Sequence, residues 1–388
     1  GAFYHPAICL SAEGIPCAVK PEQDISSLIG QHIYFDLKDG KLKTGDDIPE
    51  HTPFDANRYY ASLDPAHYTT NLSVNVCLRS LKELQYFRRL KSRGIGVPFI
   101  TLFLEPVFYE SGEDPYSAAK RNSPELKKVL MEYIVSALNI AEKGVYVRTP
   151  EVTAHERGSK EKGADGLAEL RGIPYDVQRD DYFLRFLFGL IGEISSDSKY
   201  GGKLHITLAM PRSAGDVIYA GNLLEQRLRE TNREMLVVGR DINLSAFTET
   251  PYWLLPTAAL PQEIRDLCKE PAKEDTIKDS NGKITWGTGD LTACFMASSR
   301  EIPEMKGYLS TRAEVLDMMR KSIRAWNEIG FRPDVNGSFA CKPFKTDEEN
   351  IQFYSMLTEG DIQLSVFPPV FLDVKKLIKE VERRKKIN

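Results

Sequence analysis

The sequence predicts an α/β fold of repeated strand–helix units, with a (β/α)8-like barrel as the favoured arrangement and an open doubly wound or mixed sheet as the alternative. Three observations predict it. Short apolar or alternating runs bounded by Gly, Pro, Asn or Asp recur along the chain. Segments of helical periodicity stand between them. No low-complexity tract appears, nor any repeat with a period on the order of 20–50 residues, which removes solenoids and propellers.

Taken in order, the strand-like runs are "HIYFDL", "NLSVNVCL", "PFITLFLEPVF", "GVYVRT", "KLHITLAM", "EMLVVGRDI", "LTACFMAS", "SFACKPF" and "DIQLSVF". The clearest helix follows Ser123. Pro124 takes its first position, Leu126, Val129, Leu130, Tyr133, Ile134, Ala137 and Leu138 fall on one side, and Gly144 lies past its end. Thr311 and Glu314 form a capping box for a second helix through Leu316, Met319, Ile323 and Trp326 to Gly330. Residues 80–93, 178–195, 216–232 and 371–386 read as further amphipathic helices. The polar stretches 40–58, 109–123, 156–180 and 270–283 read as loops or insertions. The last of these suggests a main α/β domain over residues 1–275, carrying the site, and a C-terminal α/β portion over 276–388 that belongs either to it or to a second lobe.

Composition narrows the partners. At 388 residues the chain is long enough for a large core. With 42% hydrophobic and 27% charged residues, and no run near the ~18 apolar residues of a membrane span, it reads as a water-soluble protein without a membrane partner. A net charge of −4 gives no broad nucleic-acid surface. The terminal "KKLIKEVERRKKIN" reads as a solvated helix end. Six cysteines without a C-x-x-C pair suggest neither zinc nor a dithiol, and fit reduced thiols in a cytoplasmic protein. The sequons at Asn71, Asn243 and Asn336 keep a secreted chain as the alternative. No metal or cofactor is expected, and oligomeric state is not read from the sequence.

The chemistry centres on "KLHITLAM". Period-2 alternation puts Leu204, Ile206, Leu208 and Met210 on one face and His205, Thr207 and Ala209 on the other. "DPAHYTTNLSV" offers His67 and Thr69 at the same spacing. The two H-x-T elements resemble the paired signature of the 2H phosphoesterase family. That resemblance implies His67 and His205 as the acid/base pair and Thr69 and Thr207 as phosphate ligands. Imidazole titrates near neutral pH and suits the task. The plain structural alternative for His205 is a sheet histidine bonded to a neighbour. Arg212 and Ser213 follow the same strand and open a helix, where backbone N–H groups favour an anion.

The barrel reading supplies a second constellation of acidic residues at strand ends, Glu105, Glu151 and Asp241, of which two could serve as acid and base in glycoside hydrolysis. No G-x-S-x-G elbow, H-E-x-x-H helix or Walker A sequence occurs. The expectation is therefore a hydrolase acting on a phosphodiester or phosphorylated small molecule, possible substrates including an oligonucleotide phosphate, by histidine acid/base catalysis. A barrel glycosidase and a non-catalytic binding or structural protein are the alternatives.

Overall fold

The computed structural model describes residues 33–36, 41–44, 56–104, 115–151, 172–174, 181–238, 240–248, 282–287, 313–336 and 346–387. The chain forms two compact units, residues 1–63 and 64–388. In the first, β1 (Ile33–Asp36) and β2 (Lys41–Thr44) pair antiparallel, and α1 spans Ala56–Ala61. The run "HIYFDL" thus supplies a hairpin strand.

The second unit is a closed parallel barrel of eight strands. They are β3 (Ser73–Leu78), β4 (Phe99–Phe103), β5 (Gly144–Arg148), β6 (Leu204–Ala209), β7 (Ile242–Thr248), β8 (Gly282–Gly287), β9 (Phe331–Asn336) and β10 (Gln363–Val366). Each pairs with the next, and β10 pairs with β3 to complete the ring. Helices stand between strands: α2 (Leu81–Ser92), α3 (Pro115–Lys120), α4 (Pro124–Leu138), α5 (Tyr182–Ser195), α6 (Ala214–Glu230), α7 (Ala313–Glu328), α8 (Asp347–Leu357) and α9 (Phe371–Ile387). The favoured barrel is therefore the fold. The strands that begin beyond position 276 close the same ring as those before it.

Local sequence explains the helix starts. Ser80 accepts the Glu83 N–H and Ser123 the Leu126 N–H, while Thr346 and Glu349 form a reciprocal capping box. Glu314 lies in α7, and its expected partner Thr311 lies outside the described residues.

Strand alternation sorts the side chains into two sets. Val74, Val76, Ile100, Leu102, Val145, Val147, Leu204, Ile206, Leu208 and Leu244, all buried, point outward beneath the helices. The alternate set fills the lumen and is polar, where barrel interiors are usually rich in branched apolar residues. Many of its members pair with one another, although Thr101 Oγ1 and Asn243 Oδ1 are buried without a hydrogen-bond partner. Asn75 Nδ2 donates to Gln363 Oε1 at 3.0 Å, Thr207 Oγ1 lies 2.8 Å from Ser245 Oγ, and Ser365 Oγ reaches the Asp334 carboxylate at 2.8 Å. Thr285 donates to the same carboxylate, and Asn336 Nδ2 to Cys77 Sγ. Asn243 and Asn336 are buried there, so those two sequons are closed to modification in the folded chain.

Three strand assignments change, the third being β9 (Phe331–Asn336), which no strand-like run of the sequence covers. In "EMLVVGRDI" the apolar run is a turn, with Met235 84% exposed and Val237 44%, and the strand begins only at Ile242. The Asp241 carboxylate, which accepts the Val237 N–H at 2.9 Å, closes that turn. Conversely "GKITWG", which opens inside the stretch 270–283 read as a loop, is β8. The runs "LTACFMAS" and "SFACKPF" lie outside the described residues. Among the described residues, no helix is long and apolar enough to cross a membrane.

The last helix seals the ring. Glu382 Oε1 accepts the backbone N–H groups of Asn71 and Leu72, just before β3. Lys375 of α9 is buried, donates to the Gly96 carbonyl at 3.4 Å and lies 5.0 Å over the Phe371 ring. A Cβ on Gly96 would run into the Glu142 carboxylate, which would have to swing aside. Burial pulls the Lys375 ammonium down to about 8, against the opposing attraction of Glu142. Its folded pKa thus lies below its unfolded one, and the unfolded chain holds the extra proton between pH 8 and about 10.5. The charged lysine therefore costs stability below pH 8, and the cost fades as pH rises through that window. Lys375→Met is expected to raise the unfolding free energy by roughly 1–3 kcal/mol at pH 7. Denaturation at stepped pH checks the sign: the advantage should shrink above pH 8 and vanish near pH 10.5.

Candidate active site at the C-terminal mouth of the barrel

Barrel enzymes build their sites where the strands end, because side chains from several strands converge there. On this end β3 delivers Arg79, one residue past Leu78, and β5 ends in Arg148. Leu78 pairs with Leu102 and Phe103 with Arg148, so the register sets Arg79, Phe103 and Arg148 side by side across three neighbouring strands.

Arg148 is 3% exposed, with its guanidinium carbon 4.7 Å from the Phe103 ring centre and 4.5 Å from that of Phe247. Its Nη2 donates to the carboxylate of Glu151, which is also buried. Thr149 between them accepts the Ala209 N–H at 2.8 Å, tying the end of β5 to the end of β6. Across the mouth, Arg79 lies 4.7 Å from the Phe367 ring, and Phe367 lies 6.2 Å from Phe103. Arg79 Nη2 donates to Glu83 Oε1 at 3.1 Å, and the Arg79 N–H to the other oxygen at 2.6 Å. Burial pushes the Glu83 carboxyl up, against the downward pull of Arg79 and of the backbone N–H groups of Arg79 and Ser80. The mouth thus holds two buried guanidiniums, each beside a carboxylate, joined by an aromatic wall.

The anticipated residues scatter over this frame. His205 faces the lumen as alternation requires, but in the half of the barrel nearest the strand starts. It is 3% exposed, stacked on Tyr146 at 4.6 Å and bonded through Nδ1 to the Asn243 amide at 3.3 Å. His67 sits on the 3-10 turn Pro65–Tyr68 outside the barrel, its side chain 71% exposed and its Nε2 3.7 Å from Asp64. The two imidazoles share no pocket. Thr69 bonds the Pro65 carbonyl on that outer turn, while Thr207 bonds Ser245 inside the lumen. Arg212 and Ser213 do lie past the end of β6, on the mouth side. The anion at that helix start is the chain's own Asp216, whose carboxylate accepts the N–H groups of Arg212 and Ser213 at 2.8 and 3.2 Å.

Among the carboxylates, Glu151 lies beyond β5 as expected. Asp241 precedes β7 and so occupies the opposite end of the barrel from Glu151. Glu105 lies outside the described residues. Arg79 and Arg148 escaped the sequence reading, although a signal existed: each is a cation in lumen phase at the end of an otherwise uncharged strand.

No family model and no curated protein matches the sequence. Among solved structures the chain is similar to a citrate lyase from Burkholderia xenovorans LB400, at 14% identity over 84% of each chain, with a TM-score of 0.45. It is also similar to a malate synthase from Haloferax volcanii, at 11% identity over 79% of this chain and 74% of that one, with a TM-score of 0.46. A third is the citrate lyase beta subunit from Mycobacterium tuberculosis complexed with oxaloacetate and magnesium, at 13% identity over 81% and 99%, with a TM-score of 0.36. The barrel itself rests on the chain's own strand pairing. The hydrolase expectation is corrected. The phosphoesterase histidines do not meet, and of the glycosidase carboxylates Glu151 and Asp241 stand at opposite ends while Glu105 lies outside the described residues.

Removing one member of a buried ion pair strands the other charge. Arg148→Met and Glu151→Gln are each expected to cost about 3–5 kcal/mol, and the double change Arg148→Met/Glu151→Gln much less than their sum. Urea unfolding of the three variants decides it; additive losses would show that the pair is not coupled. His205→Ala, in the lumen, should lower stability while leaving ligand binding at the mouth unchanged in calorimetry.

Proposed function

We propose that this chain is an enzyme acting on a small carboxylate-bearing molecule at the C-terminal mouth of its barrel. The observation that carries the reading is Arg148, buried between Phe103 and Phe247 and paired with Glu151 where the strands end. A guanidinium presents a planar fork that matches a carboxylate, and in a desolvated site the attraction is stronger than in water. An incoming carboxylate competes with Glu151 for that fork. Glu151, displaced but still adjacent, is then placed to take or return a proton on the bound molecule. Arg212, exposed past the end of β6, adds positive charge on the approach to the same face.

Magnesium accompanies the ligand in the Mycobacterium tuberculosis structure. Among the described residues no group of three or more His, Cys, Asp or Glu gathers into a cation site, and Glu83 and Glu151 are both engaged by arginines. The described mouth does not fit such an ion, and no step here passes through one.

Oxaloacetate, acetoacetate and pyruvate, which similar barrels bind in solved structures, are the first probes. Calorimetric titration of wild type and Arg148→Lys tests the reading. The lysine keeps the charge and loses the fork, and binding should weaken about tenfold to a hundredfold. Equal affinity for a folded Arg148→Lys variant would overturn the assignment.

A further inference from the structure

The mouth carries a second guanidinium that the reading above does not use. Arg79 is 8% exposed and stands in register beside Phe103, on the side away from Arg148. Neighbouring strands are about 4.8 Å apart, so the backbones of Arg79 and Arg148 are separated by roughly 10 Å across the β4 strand between them. What fills that interval is apolar. Phe103 lies 6.1 Å from Phe247 and 6.2 Å from Phe367, and each arginine rests against this cluster, Arg148 on Phe103 and Phe247, Arg79 on Phe367. The pattern is cation, aromatic wall, cation.

We infer that Arg79 and Arg148 form a two-ended clasp, and that the substrate is an α,ω-dicarboxylate whose methylene spacer lies along Phe103. This rests on the reading of Arg148 as the carboxylate anchor and extends it from one anion to two. Each end meets a fork of N–H donors suited to carboxylate geometry. The spacer meets ring faces instead of polar groups, so a diacid with an apolar middle gains from burial while a heavily hydroxylated one does not. Glu83 stands to Arg79 as Glu151 does to Arg148, so each guanidinium is held in place in the resting state by a carboxylate that an incoming one replaces. At the Arg79 end the raised Glu83 carboxyl makes that replacement easier, because protonation removes the competing charge.

The test is calorimetric titration of wild type, Arg79→Lys and Arg148→Lys with succinate, glutarate and adipate, set against butyrate. Circular dichroism establishes that each variant is folded. At least one diacid should bind wild type about tenfold or more tightly than butyrate. Arg79→Lys should erase that preference and leave butyrate binding unchanged, while Arg148→Lys weakens both classes. If butyrate binds through Arg148 and no diacid exceeds it, or if Arg79→Lys weakens both classes alike, the clasp is wrong and the single-anchor reading stands. If neither class binds wild type, both readings fall. Should Arg79→Lys not fold, carbon-13 spectra of a labelled diacid on wild type still decide: the clasp requires both carboxylate signals to shift on binding, and one shifted signal overturns it.

Discussion

Closure of the parallel sheet, β10 against β3, is the constraint from which the rest of the molecule follows. A strand in an open sheet has two faces that different neighbours can cover. In a closed ring one of those faces turns into a shared interior, and every second residue of every strand must find partners there. In this protein that interior is polar. Pairing among its members offsets much of the cost of burying them: Asp334 with Ser365 and Thr285, Thr207 with Ser245, Asn75 with Gln363, His205 with Asn243.

The same closure gives the barrel two unlike ends. Strands all run one way, so where a side chain stands relative to its strand decides which end it serves. Glu151 and Asp241 look alike in the sequence, each an acid beside a strand. One follows β5 and joins Arg148 at the mouth; the other precedes β7 and pins the turn that begins at Val237. Chemistry at the mouth is then a matter of which charges stay desolvated. The two arginines are costly to bury, and their carboxylate partners and the ring faces of Phe103, Phe247 and Phe367 offset that cost.

Much of this fold was legible. The strands β3, β4, β5, β6 and β10 and most of the long helices follow from period and capping, and the alternation in "KLHITLAM" put His205 and Thr207 on one face, as they are. The misread elements have a physical reason. "EMLVVGRDI" has strand composition but no sheet neighbour for its first half, and composition cannot tell a buried apolar run from one left on a turn. "GKITWG" is short, bounded by glycines and continuous with the polar stretch before it; only pairing with β7 and β9 makes it a strand. The site was less legible because histidines and carboxylates carry the recognisable catalytic patterns, while the groups that converge among the described residues of the mouth are arginines.

By itself the sequence determined the repeating strand–helix order, the helix start marked by Ser123 and Pro124, and which residues share a face of each strand. These are local properties, set by backbone period and by hydrogen bonds within a few residues. Tertiary structure alone decided that the polar faces point into a common lumen, that His67 stays outside it, and that Arg79 and Arg148 flank Phe103. Those relations join residues far apart in the chain, and they exist only once the ring has closed and fixed the register between strands.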